Sequence, residues 1–241
     1  MKVGLGPISL ADTSRAQLEE LSRAAVAASF DSLWVSESRA HSVGGGLAAA
    51  AMLAQLVAIR VGAVVDFGGY HPLYAAEDIA VADIASQGRL EVLLRGGSDE
   101  QLRLLVDAIG GAHLQFDGDQ LRVPARLDAN QPSPSKLALN PRPAQPAVPL
   151  WVEDIDPQAA ALLGVGVATS WRRKVPHVAR PWPPMLLCPG DVSADELLQA
   201  AGGRAAYFLI GASTPAAVAE AGRRLTGPLR MPDFPDWINL T

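Results

Sequence analysis

The chain has 241 residues, with 20 basic and 25 acidic side chains, a net charge of −5 and a single cysteine. This length allows one large domain or two small ones, and a one-piece α/β barrel of about 250 residues fits it best. The lone Cys188 excludes a framework of intrachain disulfides and indicates a reducing compartment. The mild acidity argues against nucleic-acid binding, and the hydrophobic fraction of 49% argues against disorder.

Neither a secretory signal nor a membrane span is predicted. Residues 1–10 have one lysine and a short apolar stretch, without a small-residue cleavage pattern. No window reaches about 18 uninterrupted apolar residues, and the richest one, 44–57, is broken by Gln55 and is typical of a buried helix. We therefore expect a cytoplasmic protein that does not associate with membranes.

Strands and helices alternate through the first half of the chain. Strands are predicted at 2–10, 31–36, 59–67 and 89–94, and helices at about 14–29, 47–57, 73–86 and 99–109. Four strand–helix units in succession imply a parallel sheet with right-handed crossovers, and the continuous apolar strands imply burial on both faces. The residues alone leave two architectures open, an open doubly wound sheet and a closed barrel.

The second half begins with a predicted hairpin at 116–123, followed by a long loop at 124–149 that is rich in proline, asparagine and glutamine. The alternation then resumes, with strands at 150–152, 165–170, 184–188 and 205–210, helices at 158–163, 193–201 and 216–225, and a basic loop at 172–184. The last strand is either 205–210 or the stretch Leu229–Met231. The whole chain, 1–241, is expected to form one domain.

Four segments carry a family likeness: 30–37 (FDSLWVSE), 61–72 (VGAVVDFGGYHP), 76–94 (AEDIAVADIASQGRLEVLL) and 149–157 (PLWVEDIDP). Two shorter ones, 116–118 (FDG) and 141–145 (PRPAQ), fit the same pattern. In this order they resemble the luciferase-like monooxygenases, the family of bacterial luciferase and its FMN- or F420-dependent relatives. The resemblance implies a (β/α)8 TIM barrel, shortened or irregular in its C-terminal half, with the site at the C-terminal ends of the strands.

The same resemblance implies a flavin-dependent oxidoreductase or monooxygenase that acts on a small organic substrate, with FMN or F420 as cofactor. The candidate catalytic residues are Glu37, Ser38 and Asp66. The candidate cofactor-binding residues are Val64, Val65, Arg95, Gly96, Gly97, Asp154 and Trp171. Arg95 and the two glycines would hold an anionic group, while Asp66 and the Val64–Val65 backbone, where relatives have a strained or cis peptide, would lie against the ring. A homodimer through the helices beside strands 2 and 3 is also implied.

Three departures from the family pattern favour a different outcome. Ser38 stands where the luciferases have a histidine, and the approach to Arg95 is one residue shorter. The turn after the fifth strand, 153–156 (EDID), carries three carboxylates in place of small residues. A phosphate has about −1.5 to −2 charges, and each repulsive unit pair at about 4 Å costs about 1–4 kcal/mol. The alternative is therefore a catalytically degenerate barrel that serves as a binding or partner subunit without flavin.

The remaining clusters favour plainer interpretations. Gly44–Gly46 is expected to be a flexible helix start, and the basic cluster 171–174 a solvated loop. His41 is a candidate for the missing imidazole, although a surface position is the expectation. No metal-ligand spacing and no GxSxG nucleophile elbow are present, so we expect neither a metal site nor a serine hydrolase.

Overall fold

Eight parallel strands close into a barrel, with helices packed around its outside. The computed structural model describes residues 1–36, 44–111, 114–123, 138–173 and 182–229. The strands are β1 (Lys2–Ser9), β2 (Ser32–Ser36), β3 (Arg60–Asp66), β4 (Leu90–Arg95), β5 (Phe116–Asp117), β6 (Arg122–Val123), β7 (Leu150–Glu153), β8 (Gly166–Ser170), β9 (Met185–Cys188) and β10 (Tyr207–Ile210). The helices are α1 (Arg15–Ala27), α2 (Gly45–Leu53), α3 (Pro72–Ala85), α4 (Asp99–Ile109), α5 (Pro157–Leu163), α6 (Ala194–Ala201) and α7 (Pro215–Leu229).

The barrel is closed by the pairing of β10 with β1. Around the ring the strands follow the order β1-β10-β9-β8-β7-β4-β3-β2, and every pairing between neighbours is parallel. The prediction of a TIM barrel is therefore confirmed, and the alternative of an open sheet is excluded. The predicted strand at 205–210 is the one that closes the ring, since Leu229 ends α7. The predicted hairpin is also present, as the antiparallel pair β5–β6.

Strand alternation divides the apolar side chains into two layers. On β3, for example, Val61, Ala63 and Val65 pack outward against the helices, whereas Val64 faces the barrel lumen. The lumen cluster also contains Trp34, Leu93, Trp151, Ala168, Met185, Tyr207 and Leu209. The lumen is therefore filled by side chains, as in other barrels of this size.

Helix boundaries follow from local capping. Ser14, Ser98 and Ser193 begin α1, α4 and α6, each with a reciprocal capping box to the residue three positions on. The prediction that α2 extends to residue 57 is wrong. The helix ends at Leu53. The guanidinium of Arg89 donates to the carbonyl oxygens of Ala54 and Val57, and these hydrogen bonds satisfy backbone acceptors that follow the helix.

The C-terminal half is less regular than the first half. Strands β7, β9 and β10 have four residues each. Between β8 and β9, the described residues 171–173 and 182–184 contain no helix. No helix in the described ranges is long and apolar enough to cross a membrane.

A buried polar network fills the N-terminal end of the lumen. Glu91, which is fully buried, accepts from Arg60 Nε at 2.7 Å and from the Tyr207 hydroxyl at 2.6 Å. Arg60 also donates to Gln145 Oε1 at 2.7 Å, and Gln145 donates in turn to Asp83. Gln145 therefore joins the loop before β7 to the barrel.

Candidate active site

Three charged side chains lie side by side at the C-terminal end of the barrel, which we call the mouth. Asp66 ends β3 and stands opposite Arg95, the last residue of β4, while Glu153 ends the next strand, β7. Arg95 Nε donates to Glu153 Oε2 at 2.8 Å. We call Asp66, Arg95 and Glu153 the mouth arc. The pairing register of β3 and β4 places Asp66 next to Arg95, as the sequence predicts for two residues at the same end of the barrel.

Arg95 keeps donors available toward the mouth. Its side chain is 37% exposed and that of Glu153 is 31% exposed, so the pair is screened by solvent. Glu153 takes only the Nε proton, and neither Nη atom of Arg95 has a hydrogen bond to another described residue. Glu153 therefore orients the guanidinium while leaving its two terminal nitrogens able to bind an anion or a carbonyl oxygen.

Beneath the mouth arc lies an apolar floor. Alternation places Val64, Leu93 and Trp151 two residues before the three charged side chains, on the same face of their strands. Trp34 meets Trp151 edge-on, with ring centroids 6.1 Å apart and planes at 69°. Both tryptophans are buried, so the floor is a packed apolar layer beneath the mouth arc.

The glycine turn after β4 has a packing reason. Gly96 and Gly97 have φ of 72° and 98°, a region that favours glycine. A Cβ on Gly97 would lie 2.5 Å from the ring of Phe67, which is fully buried after β3. The turn brings the chain after β3 against the chain after β4, so the two glycines shape the rim of the mouth.

Three of the proposed cofactor-binding side chains do not face the lumen. Val65 packs outward against the helices. Asp154, with φ of 55°, accepts from the hydroxyl of Thr169 at 3.1 Å and from Arg173 at 2.7 Å. Trp171 packs against the outer apolar layer. The arc and floor therefore combine three predicted site residues with three that were not predicted as such, Glu153, Leu93 and Trp151.

Several sequence predictions fall on residues outside the described ranges. Glu37, Ser38 and His41 all lie within 37–43, where the structure gives no description. The helix start that follows is present, with Gly44 in the left-handed region and no side-chain cap. The described cis peptides are Gly6–Pro7 and Asn140–Pro141, so Val64–Val65 is trans.

Opposite the mouth arc lies a hollow that the sequence did not reveal, which we call the β1–β10 recess. It is formed by the end of β1, the turn into α1 and residues 211–213 after β10, and its volume is about 380 Å³. Its polar residues are Ser9, Asp12 and Ser213 among others. No periodicity or spacing could have joined them, because they come from opposite ends of the chain.

The described residues give an apolar layer beneath the mouth but no free surface for the ring of FMN or F420. Val64, Leu93 and Trp151 are at most 2% exposed, Trp182 packs against Trp151, and the turn after β7 does not fit a phosphate. Asp156 Oδ1 already accepts from the amides of Gln158 and Ala159 at 2.9 and 3.1 Å, and Glu153 stands at the same turn. A phosphate there would replace a carboxylate that caps its own helix and would meet a second one.

The described residues near the mouth give no metal-ligand cluster, and the cysteine lies outside the lumen. No group of three or more His, Cys, Asp or Glu side chains in the described parts of the chain could hold a metal ion. Cys188 is buried on the outer layer, and burial raises the pKa of its thiol to about 12. The thiol is therefore protonated and inert at neutral pH.

Comparisons with known proteins agree with the predicted family resemblance at the level of the fold. No protein-family model and no curated protein sequence matches the chain. Among solved structures, the chain is similar to monooxygenase RslO1 from Streptomyces bottropensis, with 16% identity, a TM-score of 0.66 and coverage of 93% of this chain and 97% of the other. An F420-dependent secondary alcohol dehydrogenase in complex with an F420-acetone adduct aligns with 14% identity, a TM-score of 0.68 and coverage of 95% and 99%. The oxygenating constituent of 3,6-diketocamphane monooxygenase from the CAM plasmid of Pseudomonas putida, in complex with FMN, aligns with 15% identity, a TM-score of 0.53 and coverage of 83% and 71%.

Proposed function

Starting from the luciferase-like barrel fold that this chain shares with FMN- and F420-dependent enzymes, we propose that it is a flavin-dependent oxidoreductase acting on a small organic molecule. The observation that carries the proposal is the mouth arc above an apolar floor. TIM-barrel enzymes place their sites at this end of the barrel, and a floor with a few converging polar groups is typical of cofactor pockets.

The residues of the mouth divide the work between binding and proton transfer. Val64, Leu93 and Trp151 form the buried apolar layer beneath the mouth arc, and they exclude water from below a ring bound at the arc. When bound, the reduced cofactor supplies the hydride or activates O2, and the protein positions it. The Nη donors of Arg95 bind an anionic or carbonyl group. Asp66 is exposed at the rim and exchanges a proton with the substrate.

The experiment is a fluorescence titration of the protein with FMN and, separately, with F420. We expect at least one of the cofactors to quench the protein's fluorescence saturably. The Arg95→Met variant should bind that cofactor tenfold or more weakly than the wild type. The matched control is Arg103→Met, since Arg103 is exposed on α4 behind the barrel wall. Absence of quenching by both cofactors at high micromolar concentration would refute the proposal, as would equal effects of the two substitutions.

A second candidate function is a binding or partner subunit that holds no flavin. The observation that favours it is the closed turn after β7, where Asp156 occupies the helix amides and Glu153 occupies Arg95. The same titration separates the two candidates, because this one predicts no quenching by either cofactor while the fold remains intact by circular dichroism.

The proposed assembly is a homodimer through α2 and α3. The outer face of these neighbouring helices and of the turn after α2 exposes five large apolar side chains: Met52, Leu56, Tyr74, Val81 and Ile84. On α3, Tyr74 and Val81 are seven residues apart and so lie on one face. Exposed apolar side chains of this size are typical of an interaction surface and suit a second copy of the chain, with the exposed Glu77 between Tyr74 and Val81 as a charge at its centre.

Sedimentation of the protein tests the dimer. We expect the wild type to sediment as a dimer and Val81→Glu as a monomer. Leu162→Glu is the matched control, because Leu162 is 85% exposed on α5, away from the patch, and its variant should remain dimeric. A monomeric wild type, or a dimer that survives Val81→Glu, would contradict this assembly.

A further inference from the structure

The β1–β10 recess is shaped by a bulge in β1. The register with β2 shifts between Leu5 and Ile8, so that three steps along β1 match two along β2. Gly6 sits in this bulge with φ of +124°, and any Cβ there would overlap the carbonyl oxygen of Trp34. Bulges bend a strand and re-aim the side chains beyond them, often beside active sites. Here the bulge sets the end of β1 so that Ser9 stands opposite Ser36 and lines the recess.

The described residues that line the recess include one carboxylate and no cation. Asp12 accepts from the hydroxyl of Ser9 at 2.7 Å. Gln17 uses its carbonyl oxygen to accept from Ser14 N at 2.8 Å, which leaves its amide nitrogen as a donor. The hydroxyls of Thr13 and Ser213 line the recess, and neither makes a hydrogen bond to another described residue.

This lining suits a neutral ligand with several hydroxyl groups. Hydroxyls both donate and accept, so they match a set made of a carboxylate, an amide nitrogen and two hydroxyls. A carboxylate or phosphate would instead face Asp12, with no compensating positive side chain among the described lining residues. The volume of about 380 Å³ falls within the range of about 300–1,000 Å³ for small-molecule sites.

The recess and the mouth arc occupy opposite sides of the same opening. In the ring of strands, β10 and β1 lie across from β4 and β7. A molecule held in the recess therefore approaches the floor from the side away from Arg95 and Glu153. Both sides of the mouth contain carboxylates, but among the described residues only the arc adds a guanidinium with available donors.

We propose that the β1–β10 recess is a binding subsite for a neutral, polyhydroxylated small molecule, and that Asp12 excludes carboxylates from it. The proposal rests on the proposed function only in treating this molecule as the substrate of the mouth. Binding in the recess itself requires no cofactor.

Two-dimensional amide NMR of the isotopically labelled protein, without flavin, tests the subsite. The probes are glucose, glucosamine and glucuronate, which share one ring and differ in charge. We expect glucose and glucosamine to shift the amide signals of residues 211–213 saturably at millimolar concentration, and glucuronate to bind at least tenfold more weakly than glucose. In the Asp12→Asn variant, the affinity for glucuronate should lie within about threefold of the affinity for glucose. Asp107→Asn, an exposed change on α4, is the control and should retain the wild-type preference.

Each outcome decides for or against the subsite. No saturable shift of the 211–213 amides with any of the three sugars would overturn it, as would glucuronate binding as tightly as glucose to the wild type. A preference against glucuronate that persists in Asp12→Asn would remove the role of Asp12. Failure of the flavin titration leaves these results unaffected, so the subsite and the proposed function can fail separately.

Discussion

Replacing Arg60 by methionine should destabilise the barrel strongly, because it leaves Glu91 buried without its cation. Glu91 is fully buried, its partner is 17% exposed, and the two meet at 2.7 Å. Removing one partner of a buried ion pair costs about 3–5 kcal/mol. For a chain of this size, each kcal/mol lowers Tm by about 2–4 °C, so Arg60→Met should melt about 6–20 °C below the wild type.

The double variant Arg60→Met/Glu91→Gln provides the control. Glutamine removes the buried charge but still accepts from the Tyr207 hydroxyl, so the double variant should recover about half of the lost stability. Calorimetry measures both values. The account of the lumen network would be refuted if Arg60→Met melted within about 2 °C of the wild type, or if the double variant were no more stable than the single one.

Four further predictions concern individual groups. Burial, followed by the charge of Glu91, raises the pKa of Tyr207 well above 10, so stability present below pH 10 is lost as the pH rises above it. Denaturant titrations above pH 10 should show that the free energy of unfolding falls less steeply with pH in Tyr207→Phe than in the wild type. An equal fall in the two proteins would contradict this. Gly97→Ala should cost about 1–3 kcal/mol because of its φ and the buried ring beside it, whereas Gly69→Ala, which has no atom within 4 Å of the new Cβ, should stay within about 0.5 kcal/mol in urea denaturation. The thiol of Cys188, with its pKa near 12, should resist iodoacetamide in the folded protein and react after unfolding, as mass spectrometry would show; modification of the folded protein would count against its burial. Glu153→Gln removes the carboxylate that orients the Arg95 guanidinium, an exposed pair worth about 0.2–1 kcal/mol, so FMN affinity should fall by up to about fivefold in the fluorescence titration, and tighter binding would argue against this orienting role.

The strands and most helices could be predicted because their signals are local. The apolar run 59–67 and the helix 99–109 are found within one residue at each end. The early end of α2 was not predictable, since the interactions that follow it come from Arg89, more than thirty residues away. Closure of the ring depends on β10 reaching β1, and no local pattern carries that information.

The candidate site could be predicted only in part, because some of its residues carry local signals and others come together only through long-range contacts. Asp66 and Arg95 each end a strand, so adjacency of the strands brings them together. The pairing of Arg95 with Glu153 spans 58 positions and appears only in the fold. Glu91 did give a signal, a charged residue inside the apolar strand 89–94, and strand alternation would have placed it in the lumen.

A crystal structure of the protein soaked with FMN or F420 tests the central claim most directly. We predict ring density over Val64, Leu93 and Trp151 at the C-terminal end of the barrel, with the phosphate away from the turn 153–156. Density for the ring at any other place, or an empty mouth in crystals soaked to saturation, would contradict the assignment of this opening as a flavin site.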